Sequence, residues 1–192
     1  SEPDTYIPRI AFVEDENNSL FIFTINRNQN QLDIYSANPR STVCNMVLRR
    51  TDDRYIEPEE FLNTTFYGTQ FIMESESDGH NHLYLYSTNG KLVRQLTSGD
   101  WNVLKFNGWE PKTQTLYYTS NEGNPLQSAV YRMDGKGKAR KLSSYDTGNV
   151  SASFGAGMKY YVSTWSDINT PPVIAVYDNT GRQIRTIDDN AS

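Results

Sequence analysis

A tyrosine that returns in the same local setting, at a spacing of about 45–51 residues, limits this chain to a narrow set of folds. The four stretches are Asp33-Ile34-Tyr35, Tyr84-Leu85-Tyr86, Ala129-Val130-Tyr131 and Ala175-Val176-Tyr177. The last three run on into a glycine turn at Gly90, Gly135 and Gly181. A second repeated stretch follows each one, with an apolar anchor at Leu48, Leu96, Leu142 and Ile187. A fixed period of this size marks a repeat architecture, and four short strands per repeat predict propeller blades. The expected fold is all-β: a β-propeller fragment of about four blades, each of four antiparallel strands.

Apolar residues recur at period two and are bounded by Gly, Asn, Asp or Pro turns, and no segment reads as a helix. The first repeat predicts strands over Tyr6–Val13, Leu20–Asn26, Gln31–Ser36 and Val43–Arg49. The second predicts Glu60–Phe66, Thr69–Glu76, His82–Ser87 and Leu92–Leu96. The third predicts Val103–Trp109, Thr115–Ser120, Ser128–Met133 and Ala139–Leu142, and the fourth Val150–Phe154, Lys159–Thr164, Val173–Tyr177 and Gln183–Ile187. Blade boundaries are therefore expected at 6–50, 58–99, 101–145 and 147–190 of a single partial propeller, 1–192. Asp78-Gly79, Asn89-Gly90 and Asp134-Gly135 sit where hairpins need positive φ.

Stacking is what a four-stranded sheet needs, because alone it has two faces and no cover. Inner strands such as Phe21-Ile22-Phe23, Phe71-Ile72-Met73, Leu116-Tyr117-Tyr118 and Tyr160-Tyr161-Val162 are apolar on both faces. Four blades cut from a larger ring would leave two apolar faces open, and a homodimer through those faces is the expected consequence.

The net charge of −5 provides no field for nucleic acid, and the short basic stretch Lys136–Lys141 reads as a solvated turn. Cys44 is the sole cysteine, so it forms no internal disulfide, and its apolar surroundings predict a small packed residue. There is no nucleophile elbow, phosphate loop or C-x-x-C. His80 and His82, with Asp78, could in principle form a metal pair, but a turn entering a strand explains them more simply, and neither metal nor cofactor is expected. The charged insert Arg50–Glu60 is longer than a hairpin needs and is the natural place for a functional loop. Glu57, Glu59 and Glu60 could hold an amine or an arginine, although a solvated loop is the plainer reading. Arg54 and Tyr55 pair a bidentate donor with an aromatic platform, so Arg54, Tyr55 and Glu57 are the candidate substrate-facing residues; no catalytic residue is identified.

Several segments together resemble one family. Asn26-Arg27-Asn28-Gln29-Asn30-Gln31-Leu32-Asp33 resembles the N-R-x-Q-x-x-L-D stretch of bacterial dipeptidyl peptidase IV-like serine peptidases, of the prolyl oligopeptidase family. The run from Glu74 to Tyr86 is similar to their S-E-R-D-G-aromatic-N-H-L-Y-L-Y motif, with Ser77 in place of the arginine and His80 in the aromatic slot. Arg94-Gln95-Leu96-Thr97-Ser98-Gly99-Asp100-Trp101 resembles R-Q-L-T-x-G-x-W, and Thr170-Pro171-Pro172 and Asp188-Asp189-Asn190 match the end of the last blade.

The resemblance implies a non-catalytic C-terminal half of an N-terminal propeller, lacking nucleophile and triad. The parent would be an enzyme that removes N-terminal dipeptides with Pro or Ala second, in which this part gates peptide entry and walls the cavity. It implies as partners the other half of the propeller, the α/β-hydrolase domain and peptide substrates, and a periplasmic or otherwise extracytoplasmic setting. Within the insert, Tyr55 fits the aromatic slot of a substrate-facing segment, whereas Ile56 stands where some members have arginine. A TolB-like propeller that binds proteins or peptides shares the D-G-x-x-x-[IL]-Y rhythm and is the alternative.

Overall fold

The computed structural model of the chain describes residues 4–14 and 18–190. Those residues form sixteen strands in four antiparallel four-stranded sheets, each a blade of a β-propeller fragment. The chain divides into two compact units, residues 1–97 and 98–192, with two sheets in each.

In the first unit, β1 (Thr5–Val13), β2 (Ser19–Asn26), β3 (Gln31–Ala37) and β4 (Cys44–Thr51) make one sheet in chain order. A short helix, α1 (Pro58–Leu62), leads into the next: β5 (Thr65–Tyr67), β6 (Gln70–Ser75), β7 (His82–Ser87) and β8 (Leu92–Gln95). The second unit holds β9 (Val103–Glu110), β10 (Thr115–Ser120), β11 (Ala129–Met133) and β12 (Ala139–Lys141), then β13 (Asn149–Phe154), β14 (Tyr160–Ser166), β15 (Val173–Asp178) and β16 (Gln183–Asp188). No helix among the described residues is long and apolar enough to cross a membrane.

The repeated tyrosine has a physical role that the register makes plain. Tyr86 lies opposite Phe71, Tyr131 opposite Tyr118 and Tyr177 opposite Tyr161. In each pair the rings stack, with centroids 5.3, 5.5 and 5.3 Å apart. Cross-strand aromatic pairs of this kind pin the third strand of a blade to the second. In the first blade Tyr35 faces Ile22 instead, and its hydroxyl donates to Asp33 at 3.4 Å.

Blade closure uses a second recurring bond. The Leu96 amide donates to the Leu83 carbonyl and the Leu142 amide to the Val130 carbonyl, both at 2.7 Å. The next hydroxyl accepts the return bond, Leu83 N to Thr97 Oγ1 at 3.0 Å and Val130 N to Ser143 Oγ at 3.3 Å. Leu96 and Leu142 are buried as expected and Leu48 is half-buried, but Ile187 is 57% exposed and so is no anchor. In the fourth blade Ile187 lies on β16, the edge strand of its sheet, all six residues of which are exposed.

Each unit has its own core. Phe21, Phe23, Ile25, Leu32 and Ile34 from the first sheet pack with Phe71 and Met73 from the second, joined by Ile56 and Phe61. In the other unit Tyr117 and Val130 meet Val150, Ala152, Tyr161, Ala175 and Tyr177. The four inner strands differ in cover. Phe71, Ile72 and Met73 are buried on both faces, as are Leu116, Tyr117 and Tyr118. On β2 Phe21 and Phe23 are buried with Ile22 half-buried, and on β14 Tyr160 and Val162 are exposed; the edge strand β1 exposes Tyr6, Ile7, Ile10 and Phe12.

Four further expectations need correction. The segment from Pro58 to Leu62 is helical, not the start of a strand, because Pro58 fits the first helical turn and Glu57 supplies an extended N-cap. Positive φ falls on Gly137 and not on Gly135, since the turn runs from Asp134 to Lys138 with the Gly137 amide donating to the Asp134 carbonyl. Cys44 is exposed, not packed, because β4 is the outermost strand of its sheet. The clustered acids of the insert are not all solvated, as the site below shows.

Candidate substrate-facing insert

The insert begins where β4 ends and is carried by the β2–β3 turn. Asn26 organises that turn: its Oδ1 accepts from the Asn30 and Gln31 amides at 3.0 and 3.1 Å, and its Nδ2 donates to Asn30 Oδ1 at 2.8 Å. Gln29 takes the left-handed conformation that the tight reversal requires (φ +55°). The turn carbonyls then hold the insert, Asn30 O accepting from the Asp52 amide at 2.9 Å and Gln29 O from the Ile56 amide at 2.8 Å. Leu32 of the same stretch is fully buried, and Asp33 binds Arg49 in a fork, both bonds 2.7 Å long.

Hydrogen bonding from Arg49 holds the Asp33 carboxyl below its usual value near 3.8, against the opposing effect of burial. A carboxyl depressed in the folded state lends stability above its unfolded pKa, and that stability is lost as pH falls through the folded value. Asp33→Asn is therefore expected to flatten the fall in stability between about pH 4 and the lower folded pKa. Urea unfolding across that range checks it, and parallel curves for the two proteins would exclude Asp33 as the source.

Below the tip, the insert is braced from inside. Arg50 pairs with Glu60 of α1, and both side chains are almost wholly buried, Glu60 being 2% exposed. Asp52 lies 4.0 Å from the same guanidinium. Burial works against the Arg50 charge, and the nearby Asp52 favours it. Glu60 Oε1 also accepts from the Glu57 amide at 3.3 Å, closing the first turn of α1. Arg9 of β1 seals the other end, donating to the Phe61, Leu62 and Thr64 carbonyls at 2.8, 2.6 and 2.6 Å, with its guanidinium over the Phe23 ring. Ile56, between the two candidate contact residues Tyr55 and Glu57, is fully buried.

The sequence-predicted residues thus divide. Arg54 is exposed, its amide held by Asp52 Oδ1 at 2.9 Å. Tyr55 is 41% exposed. Glu57 is exposed and acts as the N-cap residue of α1. Glu60 does hold an arginine, but an internal one. Arg9 had no signal as a support, because its acceptors are backbone carbonyls more than fifty residues away.

The second motif supports the same insert. Glu74 is buried and accepts from Asn63, the C-cap of α1, at 3.1 Å and from Asn81 at 2.8 Å. Burial raises its pKa, and those two amides pull it back. His82 is fully buried, with Nδ1 3.1 Å from Thr97 Oγ1. His80 stands apart, ring centroids 6.4 Å away. Among the described residues no three His, Cys, Asp or Glu side chains are grouped to hold a metal.

Residues 1–172 match the family model described as "Dipeptidyl peptidase IV (DPP IV) N-terminal region". The crystal structure of Porphyromonas gingivalis dipeptidyl peptidase 4 superposes with a TM-score of 0.94 at 36% identity, over 100% of this chain and 27% of that one. The Aspergillus flavus protein described as "Probable dipeptidyl peptidase 4" is 27% identical over 98% of this chain and 26% of its own length. Dipeptidyl peptidase 4 of Arthroderma otae is 26% identical over 98% of this chain and 25% of its own. The chain therefore spans about a quarter of the length of the relatives it matches. Its sequence motifs, its four blades and the model match over most of its length show that the chain belongs to the dipeptidyl peptidase IV N-terminal region family.

Proposed function

We propose that this chain is the non-catalytic propeller part of a dipeptidyl peptidase IV-like serine exopeptidase, walling the substrate cavity and limiting entry to short peptides. In the full-length protein the partners are the remaining blades and a hydrolase domain, which carries the nucleophile and removes N-terminal dipeptides with Pro or Ala second. The observation that carries the reading is the braced insert: Arg54 and Tyr55 stand exposed on a loop whose base is locked by Ile56 and the buried Arg50–Glu60 pair. Rigid support beneath a donor and an aromatic ring is what positioning a peptide requires. Family membership also favours this reading over a TolB-like scaffold.

The test uses the full-length protein and the isolated chain side by side. The isolated chain is expected to leave Gly-Pro-p-nitroanilide intact, and the full-length protein to cleave it. In the full-length protein Tyr55→Ala is expected to raise KM for peptides of four or more residues by about three- to tenfold, with kcat little changed. Cleavage by the isolated chain would sink the proposal, and an unchanged KM would remove Tyr55 from the cavity wall.

A further inference from the structure

In the second unit a cavity of about 320 Å³ opens between two loops, 121–128 and 142–148, at one end of the third and fourth sheets. The loops are tied to one another and do not merely lie close. The Ser128 amide donates to the Gly148 carbonyl at 3.3 Å, Ser128 Oγ donates to the Val150 carbonyl at 3.1 Å, and the Val150 amide donates back to Ser128 Oγ at 2.9 Å. Gly148 has φ +85°, and a Cβ there would run into the Ser166 carbonyl, so the backbone at the cavity floor is fixed by close packing. The Tyr145 wall is equally rigid: its ring stacks on Trp165 at 3.9 Å and 5°, while Trp165 Nε1 donates to the Thr147 carbonyl at 2.7 Å.

The charges around this cavity do not balance. Lys141 is already engaged, its ammonium donating to the Tyr145 carbonyl at 2.6 Å and lying 3.5 Å from Asp146. The Tyr131 hydroxyl donates to the backbone carbonyl of Glu122 at 3.4 Å, which fixes that loop against β11 but leaves the side chain alone. The Glu122 carboxylate has neither a hydrogen bond nor an ion pair among the described residues. A carboxylate facing a walled cavity between tyrosines, with its one lysine neutralised, offers charge and π-faces to a cation.

We propose that this cavity binds the side chain of a peptide arginine or lysine, its charge on Glu122 and its aliphatic stem between Tyr131 and Tyr145. The proposal stands on residues of the second unit alone and is independent of the role of the insert. Electrostatics agree with the geometry: although Glu122 is exposed as a residue, partial burial of its carboxyl raises its pKa, as expected of an acid with no counter-charge. The groups nearby are Tyr118, Tyr131, Tyr145, Lys141 and Asp146, and the Glu122 charge in turn helps to raise the Tyr118 and Tyr131 pKa values.

The experiment is a calorimetric or NMR titration of the chain with Nα-acetyl-L-arginine methylamide at low salt, with the neutral citrulline analogue as control. Saturable binding of the arginine probe is expected, at least about tenfold tighter than citrulline, and weakened by about as much in Glu122→Gln. Because the Glu122 carboxyl makes no bond, that variant should keep the unfolding midpoint, which is measured alongside. Acidification from about pH 7.5 to 4.5 should weaken binding as Glu122 takes up a proton. Free putrescine is the third probe: weaker binding than the arginine derivative supports a peptide-borne side chain, and tighter binding overturns that part of the assignment. Equal affinity for arginine and citrulline, or an unchanged affinity in Glu122→Gln, overturns the site.

Discussion

Replacing Glu60 by alanine is expected to destabilise the chain by about 3–5 kcal/mol, because it leaves the Arg50 guanidinium charged and buried, answered by Asp52 at 4.0 Å and by the charge of Glu76. The loss has a second part. Without the Glu60 carboxylate the Glu57 amide has no acceptor, and α1 is too short to form without its first turn. The double replacement Arg50→Met with Glu60→Leu separates these effects. It removes both charges at similar volume and is expected to recover most of the stability, since a buried pair gives little net gain over apolar packing. Urea unfolding of the wild type, Glu60→Ala and the double variant is the measurement. A loss below about 1 kcal/mol in Glu60→Ala would show that water reaches the pair, and the brace beneath Arg54 and Tyr55 would fall with it.

The other large effect lies in the core of the second unit. Tyr161→Ala is expected to cost about 3–5 kcal/mol, as it deletes a buried ring that stacks on Tyr177 at 5.3 Å and on Phe154 at 4.7 Å. Tyr161→Phe should behave in the opposite sense. Among the described residues the buried Tyr161 hydroxyl has no hydrogen-bond partner, so its removal keeps the ring contacts and relieves an unpaired polar group. That variant is expected to be neutral or up to about 1 kcal/mol more stable. Thermal unfolding of both reads the contrast. A destabilised Tyr161→Phe would mean that the hydroxyl has a partner in solution, and a mild Tyr161→Ala would mean that the two sheets pack loosely there.

Much of the fold could be read from local pattern. Period-two alternation and turn glycines placed most strands within a residue or two, and the recurring tyrosine marked the third strand of each blade. Those signals are local because a hairpin pairs residues only some fifteen positions apart, as with Phe71 and Tyr86. Errors arose where a local signal was outvoted. Glu59 and Glu60 follow a proline in a charged run, and a strand was expected to start there, yet Pro58 and the Glu57 cap favour one turn of helix. Ile187 has the spacing of an anchor, but β16 is an edge strand exposed along its whole length.

The candidate insert was legible as a place and not as a mechanism. Its length, charge and Arg54-Tyr55 pair set it apart in the sequence. What holds it, namely Arg9 on α1, Glu60 on Arg50, Asn26 under the β2–β3 turn and Glu74 on Asn63, spans as many as 55 residues of chain. The sequence by itself determined the repeat, the blades and the family, because these rest on periodicity and on contacts between neighbours in a hairpin. Only the tertiary structure decided which charges are buried and paired, since the environment of Glu60, Cys44 or Glu122 depends on whatever the folded chain brings beside it.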